Sequence, residues 1–355
     1  MVKMTSLERV LCVRRGAKPD ILPLNTGPHN DFICHYYGIS IEDYLHNVDF
    51  CAECDIRCVR EFEIDSSVVT PGYILYGCGP ELGMTWKFVE GHFPGFIEGP
   101  LKSESDLDKI RVPDRPSGYF RHYLAILTRV NRELGRDYAL TGHILGVFAV
   151  ACFLRGIQEA LLDTLMDKGF FLKYIQKCTK LSIYFGQNVI ATGINNPMLN
   201  EIFLTPEMIG PDSFHELIGP HDRRVQEALG PENIKHILGA GAMGRPGDRE
   251  SQKQGALQYR AFFASDDSLE TFRKAVDGLP PKAPVAVALS GGAFDNWDMS
   301  DILAFYTEAI GYTISTRRVY PSIFLPSLMP KSPGHAREFA EKLNQVNDFR
   351  KSFQL

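Results

Sequence analysis

Cysteine is the residue type whose spacing here most readily suggests a chemical centre. In CAECDIRC, Cys51, Cys54 and Cys58 recur at i, i+3 and i+7. Thiolates so spaced could join a metal cluster, but the same interval marks one face of a helix, and no fourth cysteine or histidine pattern completes the set. The stretch continues an amphipathic helix from Ile41, so the three are read as structural thiols on its inner face. A second candidate is SGG at Ser290, which suits either a phosphate-cradling turn or the turn that ends a strand. Glu201, Glu216 and His236 stand at long intervals, and composition alone reads them as two surface carboxylates and a core histidine.

The elements that must position such groups alternate along the chain. Apolar β-type runs at 64–70, 138–146, 188–194, 233–239, 257–263 and 284–290 are separated by amphipathic helical stretches. Repeated strand, loop and helix units predict a parallel sheet with right-handed crossovers, whose active face lies at the loops beyond the C-terminal strand ends. Helices are predicted at 268–277, with Asp267 and Glu270 as a capping box, and at 300–311, ending on Gly311. A doubly wound open sheet is the alternative, but no Gly-x-Gly-x-x-Gly loop follows the first strand. Residues 89–116, rich in Gly, Pro and charge, read as an excursion over the barrel mouth rather than a domain boundary. The expectation is one domain over residues 1–355, opened by a helical extension over 1–20.

Composition excludes several classes of function. The net charge of -5 comes from 43 acidic and 38 basic residues scattered along the chain, without the clustering that a phosphate backbone requires. Nucleic acid is therefore not an expected partner. No stretch reaches the roughly 20 apolar residues of a membrane span, and MVKMTSLERVLCVRRG lacks a secretory apolar core. Eight cysteines at irregular spacing read as thiols in a reducing compartment, and the expected location is the cytoplasm.

Four stretches in register over residues 8 to about 310 resemble the uroporphyrinogen decarboxylase superfamily. They are ERVLCVRRGAKPDILPL from Glu8, IEGPLKSESDLDKIRVPD from Ile97, GVFAVACFLRGIQEALLDTLMDKGFFLKYIQKCT from Gly146 and NPMLNEIFLTPEMIGPDSFHELIGPHDRRVQEAL from Asn196. The resemblance implies an α/β fold, a (β/α)8 TIM barrel with an N-terminal helical extension, a homodimer, and a reaction centre at the C-terminal mouth. It covers both porphyrinogen decarboxylases and corrinoid-dependent methyltransferases, so the branch rests on chemistry. A substrate carrying many carboxylates requires an arginine-rich N-terminal motif, and here Arg14 and Arg15 stand in an otherwise ordinary segment without that motif. Decarboxylation is disfavoured. Members with a thiol acceptor carry zinc on His-x-Cys and a later Cys, whereas here His236 is followed by Leu238 and the later segment offers Ser290.

Members that demethylate aryl methyl ethers carry Glu, Glu and His instead. In this chain Glu201 and Glu216 match their first interval of fourteen residues, and the nineteen residues on to His236 fall one short of the second. The resemblance thus implies a catalytic zinc ion on Glu201, Glu216 and His236, and His215 and His221 flank Glu216 as alternative donors. Two carboxylates and a neutral imidazole leave the ion neutral and strongly Lewis acidic, which suits an oxygen substrate. The resemblance implies a methoxylated aromatic compound as that substrate, whose phenoxide leaving group, of pKa about 10, needs stabilisation as the methyl departs. It likewise implies as methyl acceptor the Co(I) centre of a corrinoid (cobalamin) carried by a partner corrinoid protein. Asn25, His143 and Asn195 are expected at strand ends within reach of ring substituents, with Phe148, Tyr73, Tyr76, Trp86 and Phe93 in or near mouth loops. Another methyl donor or acceptor, such as methanol, a methylamine or a thiol, is the alternative.

Overall fold

The computed structural model describes residues 3–70, 80–89, 92–201, 209–230, 235–238, 260–263, 267–279, 282–326 and 328–353. In chain order the first elements are α1 (Ser6–Arg14), β1 (Leu24–Thr26), α2 (Asn30–Tyr37), α3 (Ile41–His46), α4 (Val48–Glu61) and β2 (Ser66–Val68). Then come β3 (Thr85–Val89), β4 (His92–Glu98), α5 (Gly118–Leu134), β5 (Ala139–Thr141), β6 (His143–Leu145), α6 (Val147–Arg155), α7 (Ile157–Met166) and α8 (Lys168–Ala191). The chain continues with β7 (Met198–Glu201), α9 (Pro211–Leu217), α10 (Gly219–Leu229), β8 (Lys235–Leu238), β9 (Arg260–Phe263) and α11 (Leu269–Asp277). It ends with β10 (Val285–Ala288), α12 (Gly291–Asn296), α13 (Met299–Arg317), β11 (Ser322–Phe324) and α14 (Pro333–Ser352).

These elements form two compact units, one of residues 1–71, 130–141 and 243–355, the other of 72–129 and 142–242. In the first, six strands pair in the order β5-β2-β1-β11-β10-β9, parallel throughout. Consecutive buried residues such as Val285, Ala286, Val287 and Ala288 of β10 suit a parallel sheet covered on both faces. The helical extension is present: Thr5 and Glu8 close a capping box at the start of α1, each side chain taking the other's backbone N–H. Asp65 ties this helix to the last one. Its carboxylate accepts from Arg9 of α1 (3.0 Å), from Arg350 of α14 and from the Leu24 amide (2.9 Å), all buried. Arg350 also donates to the carbonyls of Leu22 and Glu63.

In the second unit β6, β7 and β8 form a parallel sheet, and β3 pairs antiparallel with β4, so that the expected 89–116 excursion begins as the second strand of a hairpin. The run read as 138–146 is split into β5 and β6 at Gly142, where a Cβ would press on Val189, Ile194 and Leu127 at 3.1–3.3 Å.

Three local expectations are corrected. Residues 188–194 are not a strand: Val189 continues the buried stripe of α8 through Leu181, Phe185 and Gly186, and the strand lies later, at β7. Ser268, not Asp267, caps α11 by accepting the Thr271 N–H (3.1 Å). Asp267 instead takes a positive φ of 53° and accepts from the Ser290 amide and hydroxyl (2.7 and 2.5 Å). Helix α13 runs through Gly311 to Arg317, because its buried side still has Thr313 to cover. No helix among the described residues is long and apolar enough to cross a membrane.

Candidate active site

The second unit's sheet ends in a carboxylate. Glu201 is the last residue of β7 and is 0% exposed. Its oxygens accept the backbone N–H groups of Phe148 (2.9 Å) and Ala149 (2.8 Å), in the first turn of α6. Gly146 at that helix's N-cap has no side chain to do this, so Glu201 caps the helix from another element and sits at its positive end. The approach requires glycine: a Cβ at position 146 would lie 2.2 Å from the Glu201 carboxyl carbon.

Asp222 of α10, also buried, sets a second carboxyl against Glu201. Burial first, and then repulsion from Asp222, hold the Glu201 carboxyl well above its ordinary range, against the opposite pull of the two amides. Both causes favour the protonated form of Glu201. Around it stand other buried groups. The thiols of Cys152 and Cys178 are pushed up by burial, then by the Glu201 charge. The His221 ring nitrogen Nδ1 lies 2.8 Å from the Thr179 hydroxyl, and burial lowers its pKa. Oδ1 of Asn200 is buried and has no hydrogen-bond partner among the described residues.

The expected zinc ligands are not gathered by what the structure describes. Glu216 lies on α9 with its side chain 62% exposed, paired with Lys168 at 3.3 Å. Glu201 faces inward onto two amides and a second carboxyl. As held, the two glutamates do not fit one ion. The backbone of His236 lies on β8 in register with Leu199, and its side chain falls outside the described residues. His215 stacks edgewise on Phe214 at 5.6 Å. Among the described residues no group of three His, Cys, Asp or Glu side chains stands where it could hold a metal ion.

The expected substrate residues are also placed differently. Asn25 is in the middle of β1, and buried. His143 opens β6 rather than ending a strand; its amide donates to the Tyr123 hydroxyl (2.7 Å), and burial pushes its imidazole down to about 4. Asn195 precedes β7, at the wrong end of that strand for the mouth. Phe148 is wholly buried on α6 against Phe171 (6.2 Å). Trp86 belongs to an aromatic trio with Phe96 and Phe153, with ring centres 5.4–5.8 Å apart, while Tyr73 and Tyr76 lie outside the described residues. The Ser290 hydroxyl accepts the Ala293 N–H (3.0 Å), so SGG is the cap of α12 rather than a phosphate cradle. Cys51, Cys54 and Cys58 lie buried along α4, as the helix-face reading expects.

The residue that sequence reasoning missed is Asp222. One signal was present: Ile218, Asp222, Val225 and Leu229 recur at helical spacing, so Asp222 interrupts an apolar stripe. An acid in such a stripe needs a buried partner.

Parallel strands interleaved with helices make this an α/β fold with an acid at the C-terminal end of one strand, and the two likenesses that follow imply the (β/α)8 barrel class. A solved structure, "methyltransferase from Methanosarcina mazei", shares this fold with a TM-score of 0.74 and 14% identity, over 97% of this chain and 99% of that one. The chain belongs to the uroporphyrinogen decarboxylase family, whose profile, "Uroporphyrinogen decarboxylase (URO-D)", matches residues 5–247. A curated relative, "Uroporphyrinogen decarboxylase" of Enterobacter sp. (strain 638), is 25% identical over 108 residues, which span 30% of this chain and 29% of the relative's length.

Proposed function

We propose that this chain is a methyltransferase of the corrinoid-dependent kind, moving a methyl group from a methoxylated aromatic compound to the Co(I) centre of a corrinoid protein. The observation that carries the reading is the fold's likeness to a methyltransferase over nearly the whole length of both chains. The N-terminal segment supports the methyl-transferring branch. Arg9 is committed to Asp20 and Asp65, so it is not open to the carboxylates of a porphyrinogen. The aromatic trio of Trp86, Phe96 and Phe153 has the chemistry to face a methoxylated ring. No side chain is a methyl acceptor as strong as Co(I), so the protein alone should not turn over.

The test is to mix it with a reduced corrinoid protein and a panel of methoxybenzenes. Methylcobalamin spectra and free phenols are expected. Full activity with a free thiol and no corrinoid, or decarboxylation of a porphyrinogen octacarboxylate, would overturn the assignment.

Zinc on Glu201, Glu216 and His236 belongs to this reading through the family register alone, and the outward Glu216 stands against it. Metal analysis decides. Loss of zinc from Glu201→Gln, Glu216→Gln and His236→Ala, but not from His215→Ala, would restore the triad. Retention in Glu216→Gln removes it.

A further inference from the structure

Side chains along a strand alternate between its two faces, and in β7 the alternation parts two neighbours. Glu201 turns toward the helices, onto the α6 amides. Asn200 therefore turns the other way, on one face with Met198 and, through the parallel register, with His143 and Leu145 of β6. The helix side is sealed: Ile144, Leu199 and Glu201 are at most 1% exposed. Met198 and His143 on the opposite side are only half-buried. In a (β/α)8 barrel the face turned from the helices is the interior, and ligands meet it at the C-terminal strand ends. Asn200 stands at that end, as the last residue but one of β7.

Oδ1 of Asn200 is nevertheless buried, with 9% of the residue exposed and no hydrogen-bond donor for it among the described residues. An acceptor kept from water without a donor weakens the fold, and an apolar side chain of similar shape would avoid the loss. What gives the carboxamide a use is a donor that arrives with a ligand. Charge is absent from the described side chains beside it: Met198 and Leu145 are apolar, and the His143 imidazole, held down to about 4 by burial, is neutral at neutral pH. A ligand suited to this face is therefore uncharged and brings an N–H or O–H. We propose that Asn200 is a substrate-binding residue whose carbonyl accepts a hydrogen bond from a ring hydroxyl, so that the chain selects methoxyphenols over rings that carry only methoxy groups or a carboxylate. The inference rests on the methoxylated aromatic reading above and adds to it the group that recognises the ring. A phenol, with a pKa of about 10, keeps its proton at neutral pH and donates, whereas a dimethoxybenzene has no O–H. A site built to pair with a substrate hydroxyl discriminates against the analogue without it, because its own polar group is then left unpaired.

The test is isothermal titration calorimetry on the full-length protein with no corrinoid added, so that binding is read apart from turnover. Each methoxyphenol isomer is compared with the dimethoxybenzene and the methoxybenzoate of the same substitution pattern. At least one methoxyphenol should bind at least about tenfold more tightly than both counterparts, the effect of one hydrogen bond to a buried group. Asn200→Leu should abolish that preference and leave the urea midpoint at or above the wild-type value, a combination that a structural asparagine would not give. Asn200→Ala, which adds no bulk, should lose the preference in the same way. Equal affinity for the methoxyphenols and their dimethoxy counterparts overturns the inference and leaves the methoxylated aromatic reading standing. A preference that persists in either variant, or a urea midpoint that falls in Asn200→Leu, overturns it too. If no methoxylated ring binds at all, that reading fails and the inference falls with it.

Discussion

A single missing methyl group decides whether Glu201 can reach its helix. With a Cβ 2.2 Å from the Glu201 carboxyl carbon, Gly146→Ala must push the acid off the Phe148 and Ala149 amides. Overpacking of this kind costs about 1–3 kcal/mol, and urea unfolding of the variant measures it. His143 gives a second residue-level outcome. Its imidazole titrates at about 4 when folded and about 6.5 when unfolded, so between those values the unfolded chain binds more protons. Stability from this group is complete above pH 6.5 and is lost as pH falls toward 4. His143→Gln should flatten that part of the stability profile by up to about 3 kcal/mol, reduced by residual solvation. An unchanged slope would show that His143 is solvated. The family register brought Glu201 forward as a metal ligand. Its chemistry was not legible, because Asp222 and the α6 amides reach it only through tertiary contact. Glu216 misled for a related reason: an interval in sequence fixes neither the face of a helix nor what lies opposite.

Elements were legible where one local pattern allowed one answer. The runs before GAGAMG and SGG become β8 and β10, and the i, i+3, i+7 thiols become the inner face of α4. Changing Cys51, Cys54 and Cys58 together to Ala should lower stability by about 1 kcal/mol per site through lost packing, and leave metal content unchanged. Metal analysis alongside thermal unfolding checks both halves. Residues 188–194 failed because a short apolar run does not distinguish a strand from the buried side of a long helix. β1 and β11 are three residues each, too short to show any period. The cap at Asp267 failed because Ser268 beside it offers the same hydrogen bond, and Asp267 is drawn to Ser290 instead.

At the scale of the whole chain, the buried arginine pair on Asp65 joins segments that are far apart in sequence. Asp65→Asn would take from Arg350 its carboxylate in a buried site while Arg9 keeps Asp20, at a cost of about 3–5 kcal/mol. Chemical denaturation measures it, and a loss below 1 kcal/mol would mean that water replaces the carboxylate. The same contact has a consequence for birth at the ribosome. Asp65 and Arg350 are 285 residues apart, so at about 5–20 residues per second the acid emerges roughly 15–60 s before its second cation. During that interval the first unit has its acid but neither its last strands nor α14. The middle of the chain, by contrast, can supply nearly all of the second unit as it emerges. The nascent protein should therefore acquire its second unit first, and the residues translated earliest should be among the last to become protected from proteases.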